Sequence, residues 1–255
     1  MTEVKAKKFL GQHFLTDENI ARRIVDSLSP TTRRVVEIGP GMGVLTKYLI
    51  DRTDTDLHVI EIDRESVAYL HDHYPTLDVI EGDFLKYDLS TMFHDSYSVI
   101  GNFPYNISSQ ILFRVFECRN QAVEVVGMFQ KEVAERVAAG PGSKTYGILS
   151  VLLSAYYDIE YLFTVHEHVF NPPPKVKSAV IRLTRNDVTS LECDESLFVK
   201  VVKAGFNQRR KTLRNALRSA GLEVAAVPDE VLGKRAEQLS TAEFISLTKT
   251  IESCQ

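Results

Sequence analysis

The run Arg34-Val-Val-Glu-Ile38 has the β-branched, apolar character of a strand, and the residues after it, Gly39-Pro-Gly-Met-Gly43, cannot continue one. Three glycines in five positions let the backbone turn sharply and approach a ligand closely, and Val44 to Ile50 then reads as a helix. Strand, glycine turn and helix in that order open a nucleotide-binding α/β unit. The spacing Gly39-x-Gly41-x-Gly43 departs from the Gly-x-Gly-x-x-Gly of dinucleotide folds, and the Lys-Ser/Thr ending of a phosphate loop is missing. Taken alone, the glycines are also compatible with simple turn chemistry.

The alternation continues. Leu57 to Ile62, Leu77 to Ile80, Tyr97 to Ile100 and Glu124 to Phe129 are compact apolar segments, and Ala21 to Leu28 and Ser66 to Tyr74 are plausible helical layers over them. Gly140 to Thr145 reads as a loop before a helix from Ile148 to Tyr157. The prolines after Asn171 oppose helix propagation, and Val180 to Leu183 is expected to be a last strand. From about Arg185 the pattern becomes helical: Glu195 to Ala204, Arg209 to Ala220, Pro228 to Leu232 and Thr241 to Ile251. The expected fold class is α/β, a Rossmann-like sheet with a small C-terminal helical domain, divided at 1–184 and 185–255.

Two strand ends carry acids suited to a nucleoside. Glu61 can accept hydrogen bonds from ribose hydroxyls, and Asp83 can accept one from an adenine amino group while Phe84 packs beside the ring. Isolated strand-end acids more often cap turns, so it is their combination with the glycines that gives them weight. Asn102-Phe-Pro-Tyr105 supplies different tools. Asn102 offers a side-chain carbonyl and Pro104 a backbone carbonyl, together able to hold both amino hydrogens of an adenine, and Tyr105 can stack on an unpaired or flipped base. Methyl transfer onto a nucleobase follows, with neither metal nor strong base required.

A nucleic-acid reading has to be local, because the 255-residue chain carries a net charge of −4. The segment from Lys203 to Arg218 supplies it: Arg209, Arg210, Lys211, Arg214 and Arg218 occur there without an acid, while Phe206, Leu213 and Leu217 can face a core at helical spacing. A solvated charged face is the plainer alternative. Lys5, Lys7, Lys8, Arg22, Arg23, Lys175 and Lys177 could extend the positive surface. The three cysteines and seven histidines show no metal-ligand spacing. No stretch approaches the ~20 apolar residues of a membrane span, and the polar N-terminus is unlike a secretory signal, so a cytoplasmic location is expected.

The joint pattern resembles the ribosomal RNA adenine dimethyltransferase family that acts on small-subunit rRNA, over nearly the whole chain. Gly11-Gln-His-Phe-Leu15, Glu37 to Thr46, Asn102 to Ser108, Val169 to Ser178 and Phe206 to Thr212 each resemble a family signature. The resemblance implies a class I methyltransferase sheet and S-adenosyl-L-methionine as cofactor, bound by Gln12, His13, Leu15, Gly39, Gly41, Glu61, Ile62, Asp83, Phe84 and Asn102. It places Asn102, Pro104, Tyr105 and Phe170 around the target adenine, and Arg209 to Arg218 on RNA. Phe103 stands where many members have leucine, which bears on the loop's shape. Also implied are a monomer, adjacent adenines near the 3′ end of 16S rRNA as targets, two methyl groups per N6, an immature small subunit as substrate and a role in its maturation. Two other readings stand beside it: a large-subunit rRNA adenine methyltransferase conferring antibiotic resistance, and a mainly non-catalytic RNA-binding assembly factor.

Overall fold

A computed structural model describes residues 4–89 and 93–254 of the chain. Two compact units emerge: residues up to Ala134 with Ile159–Arg185, and Glu135–Asp158 with the residues from Asn186 onward. One junction falls at Arg185–Asn186, and Glu135–Asp158 group with the C-terminal segment.

The first unit is built on a seven-stranded sheet whose strands, in chain order, are β2 (Arg34–Ile38), β3 (Asp56–Glu61), β4 (Asp78–Glu81), β5 (Tyr97–Asn102), β6 (Ala122–Gln130), β7 (Tyr157–Val165) and β9 (Ser178–Arg185). Their spatial order is β4-β3-β2-β5-β6-β9-β7. The first four pairings are parallel and β6 with β9 is antiparallel. Strands β2, β5 and β6 are buried on both faces, as the sides of a helix-covered parallel sheet must be, and they read as continuous apolar runs. Helices α1 (Glu18–Asp26), α2 (Thr46–Ile50), α3 (Arg64–His73) and α4 (Ser108–Glu117) follow. Asp17 caps α1 through the Asn19 and Ile20 amides, and Asp63 caps α3 through the Glu65 amide. In α4, Ile111, Leu112, Val115 and Phe116 fall on one buried face.

Two short strands absent from the sequence reading, β1 (Phe14–Leu15) and β8 (Phe170–Asn171), pair antiparallel and tie the N-terminal segment to the proline loop. Strand β7 was likewise unassigned; it lies at the sheet edge, half exposed along its length, and so lacks the apolar run that marks the inner strands. At the end of the sheet away from the strand C-termini, Glu124 is buried and fully engaged, accepting from the Ser29 amide, Thr32 Oγ1 and Ser98 Oγ. Buried carboxylates persist where such donors replace water.

The second unit contains α6 (Ile148–Ser154), α7 (Glu195–Asn207), α8 (Leu213–Ser219), α9 (Asp229–Leu232) and α10 (Thr241–Glu252), with α5 (Lys131–Val137) leading into it. Phe206 stacks on Phe244 at 5.7 Å and meets Tyr146 edge-on at 5.8 Å. Leu213 and Leu217 are fully buried, as the spacing predicted. The expected helix from Arg209 to Ala220 begins only at Leu213, because residues 208–210 form a turn and 211–212 are irregular. No described helix is long and apolar enough to cross a membrane.

Candidate active site

In a parallel sheet the chain leaves each strand at its C-terminal end, and where neighbouring strands send their connections apart a crevice opens. Here that point lies between β2 and β5, the strands that end in the glycine turn and in Asn102. A cleft with about 930 Å³ of empty space, open solvent at its mouth included, occupies it. Gln12, His13, Gly39, Gly41, Glu61, Ile62, Asp83, Phe84 and Asn102 all line it. Leu15 does not; it is buried and borders a smaller adjoining cavity beside Gly39, Gly41 and Asn102.

Gly41 has φ of +58°, and a Cβ there would stand 2.9 Å from Phe14 Cε1. Its N–H donates to Glu61 Oε2 at 3.0 Å, and the Asp63 N–H donates to Glu61 Oε1 at 2.8 Å. Each carboxylate oxygen keeps a lone pair for a ribose hydroxyl. Burial, the largest effect on Glu61, lifts its pKa above the usual range, while these backbone donors pull the other way. Ile62 next to it is 51% exposed on the cleft wall, an apolar surface suited to a base face. Asp83 accepts from the Leu85 amide at 3.0 Å through Oδ1 and faces Lys86 through Oδ2 at 3.7 Å. The chemistry of this donor and acceptor set fits an adenosine-bearing cofactor.

The N-terminal segment closes the cleft as a strap. Lys7 Nζ and Gln12 Nε2 both bond the Asp63 carboxylate, and His13 Nδ1 donates to the Pro172 carbonyl at 2.7 Å. Burial pushes the Asp63 carboxyl up, but its hydrogen bonds from Lys7, Gln12 and the Glu65 amide together hold it below the ordinary aspartate range. Asn102 Nδ2 donates to the His13 carbonyl at 2.8 Å. That bond holds the amide by its nitrogen and leaves Oδ1 available as an acceptor in the cleft that Asn102 lines. Sequence reasoning found Asn102 but not this support, since the spacing between positions 13 and 102 carries no signal.

The Pro104 carbonyl is spent. Ile107 N–H at 3.2 Å and Ser108 Oγ at 3.0 Å both donate to it in the first turn of α4. This corrects its expected role as the second acceptor for an amino group. Phe103 also borders the cleft; the residue is 1% exposed and its ring packs against Phe129 at 4.9 Å. Gly101 and Gly127 pair across β5 and β6 and leave the hollow that this ring fills; a Cβ at Gly127 would lie 2.2 Å from Phe103 Cε2. The aromatic residue is therefore accommodated below the loop.

Tyr105 lines the cleft, its hydroxyl bonded to Ser178 Oγ and its ring 5.1 Å from His13. Burial raises its pKa, so it stays a neutral stacking surface. Phe170 is elsewhere. It is 4% exposed, opposite Leu15 in the β1–β8 pair and within the apolar cluster formed with Ile24 and Val169. Contact with a base in the cleft, the role expected of Phe170, would require that pair to open. Glu37, which sequence reasoning treated only as part of the motif, is 1% exposed, borders the adjoining cavity and accepts from Thr46 Oγ1 at 2.6 Å. Burial pushes its carboxyl up to about 8.

In the second unit, Arg209, Arg210, Lys211 and Arg218 are exposed, the first three on the turns before α8. Arg209 donates to the Lys144 carbonyl at 3.0 Å, and Arg214 is paired with Asp229 at 2.5 Å. Arg214 is thus paired within the fold, and the unpaired cations sit mostly on the turns. No cluster of three or more metal-ligating side chains occurs among the described residues.

A family model described as ribosomal RNA adenine dimethylase matches residues 3–253. The chain is 60% identical to Ribosomal RNA small subunit methyltransferase A of Cytophaga hutchinsonii, over 98% of this chain and 99% of the relative. It is 58% identical to the protein of the same name from Flavobacterium johnsoniae, over 99% and 98%. Among solved structures, a dimethyladenosine transferase from Plasmodium falciparum superposes with a TM-score of 0.76 at 26% identity, covering 92% of this chain and 96% of that one. The 23S rRNA methyltransferase ErmE gives 0.68 at 25% identity, covering 92% and 99%.

Proposed function

Because the chain belongs to the ribosomal RNA adenine dimethylase family, we infer that it transfers methyl groups from S-adenosyl-L-methionine to the N6 of adenines in small-subunit (16S) rRNA, two per base. The single observation that supports the site assignment is the Asn102 amide, held at its nitrogen by the His13 carbonyl in a cleft shared with Glu61 and Asp83.

When bound, S-adenosylmethionine supplies a methyl group made electrophilic by its sulfonium sulfur. Asn102 Oδ1 accepts one hydrogen of the adenine amino group, and the Phe103 backbone carbonyl takes the role that the occupied Pro104 carbonyl cannot. Two acceptors on one amino group fix its direction and draw its electron density toward attack. Tyr105 stacks on the base. Glu61 holds the ribose, Asp83 the cofactor's adenine, and Ile62 with Phe84 its apolar faces. After one transfer N6 would have lost one hydrogen as a proton and kept the other with its lone pair, so one of the two acceptors could still orient it for a second transfer.

The second unit serves as the RNA-docking part through Arg209, Arg210, Lys211 and Arg218, with phosphate contacts that orient the substrate. The protein acts as a monomer in the cytoplasm on an immature small subunit whose maturation it aids, at adjacent adenines near the 3′ end of the rRNA. Incubation with labelled cofactor and immature small subunits, followed by nucleoside analysis, tests this: dimethyladenosine in 16S rRNA is expected. Methylation of large-subunit rRNA alone would select the resistance-type reading, and tight subunit binding without transfer would select the assembly factor.

A further inference from the structure

Phe9 is 77% exposed, more than any other large apolar side chain among the described residues. A single exposed apolar residue normally means nothing. Three observations set this one apart. Its backbone is fixed: the carbonyl accepts from Asn106 Nδ2 at 3.3 Å, and Asn106 belongs to the loop that carries Asn102 and Tyr105. The residues that follow it, Leu10, Gly11 and Gln12, form cleft wall, which puts the ring on the rim of the site. Finally, Lys5 and Lys8 beside it are exposed and carry no ion pair among the described residues, whereas Lys7 is consumed by Asp63 and Glu65.

An exposed aromatic ring on an anchored segment with flanking cations, at the mouth of a cleft that takes an unpaired base, is the combination by which proteins hold single-stranded nucleic acid. We propose that Phe9 is a stacking platform for the nucleotide adjoining the target adenine, with Lys5 and Lys8 on the neighbouring phosphates. This rests on the rRNA-methylation reading and names a substrate contact that none of the cofactor-binding residues supplies. The platform holds the strand in place while the adenine enters the cleft. Phe9 does not line the cleft itself, so its removal leaves the cofactor's binding groups intact.

The test uses the full chain with Phe9→Ala and Phe9→Trp, reading KM for immature small subunits, kcat, direct subunit binding and calorimetric S-adenosylmethionine affinity. Phe9→Ala is expected to raise KM roughly 5- to 150-fold, the span of one lost base stack, with kcat and cofactor affinity at parent values, and Phe9→Trp to restore KM. Parent-like KM in Phe9→Ala overturns the proposal, as does a weakened cofactor affinity that accounts for the loss, or a tryptophan that behaves like alanine. A parent protein without transfer, yet with subunit binding that depends on Phe9, removes the methylation reading and leaves the platform standing.

Discussion

Asn102 has two jobs in this fold, and two substitutions separate them. Its Nδ2 hydrogen bond to His13 is half-buried and neutral, worth about 1 kcal/mol, so losing it from the strap should weaken S-adenosylmethionine binding about fivefold. Its Oδ1 is the oriented acceptor for the reacting amino group, and removing one such group typically costs about 100-fold or more in rate. Asn102→Ala loses both: cofactor Kd rises modestly and single-turnover transfer, with cofactor and RNA saturating, falls by about two orders of magnitude. Asn102→Asp keeps an acceptor in place but sets a carboxylate oxygen against the His13 carbonyl, an unsatisfied pair costing about 1–3 kcal/mol beyond the lost bond. Its cofactor Kd is therefore expected to exceed that of the alanine variant. Acidification should partly restore it, because a protonated carboxyl donates to the carbonyl as the amide did. Calorimetry and quenched-flow transfer measure the two quantities. Unchanged saturating transfer in Asn102→Ala refutes the acceptor role, and parent-like cofactor affinity in Asn102→Asp refutes the strap role.

Glu37 holds its proton in the folded chain up to about pH 8 but ionises near 4.5 when unfolded, so between those values the folded state binds the extra proton and stability falls as pH rises. Glu37→Gln should flatten that decline, at most about 1.4 kcal/mol per pH unit; urea unfolding at pH 5, 6.5 and 8 checks it, and an unchanged slope counts against the buried neutral acid. Phe170→Ala should cost about 3–5 kcal/mol of stability as a core truncation, seen as a lowered unfolding midpoint; an unperturbed midpoint with impaired base binding would return Phe170 to the target site. Arg210→Gln or Lys211→Gln should weaken subunit binding at low salt more than Arg214→Gln, whose charge Asp229 already offsets, and should lower the salt slope by about one ion; equal losses would contradict that ranking.

The inner strands and the cleft were legible because their causes are local. A double-sided burial demands apolar runs, a turn toward a ligand demands glycine, and acids at strand ends fall where the crevice opens. Gly41, Glu61, Asp83 and Asn102 therefore came from short windows of sequence. The misplacements share a different origin. Pro104 has the right chemistry, but its carbonyl was claimed by Ile107 and Ser108, a competition visible only once α4 starts at Ser108. Phe170 has its place at the base from resemblance alone, and its pairing with Leu15, far away in the chain, which buries it in this structure, left no mark in the local sequence. Edge strand β7 and the strap contacts of Lys7 and His13 likewise depend on long-range pairing that no periodicity records.

The hollow formed by Gly101 and Gly127 under Phe103 has a historical side. A Cβ at position 127 collides with the ring at 2.2 Å, and one at 101 meets the Ile38 carbonyl at 2.6 Å, whereas trimming the ring to leucine leaves only a small void. Lineages are thus free to exchange phenylalanine and leucine at 103 while both glycines stay, but the glycines cannot drift first without pushing the loop, and Asn102 with it, out of place. Variation in this part of the enzyme is expected to run in one direction: the ring is replaceable and the empty space beneath it is entrenched.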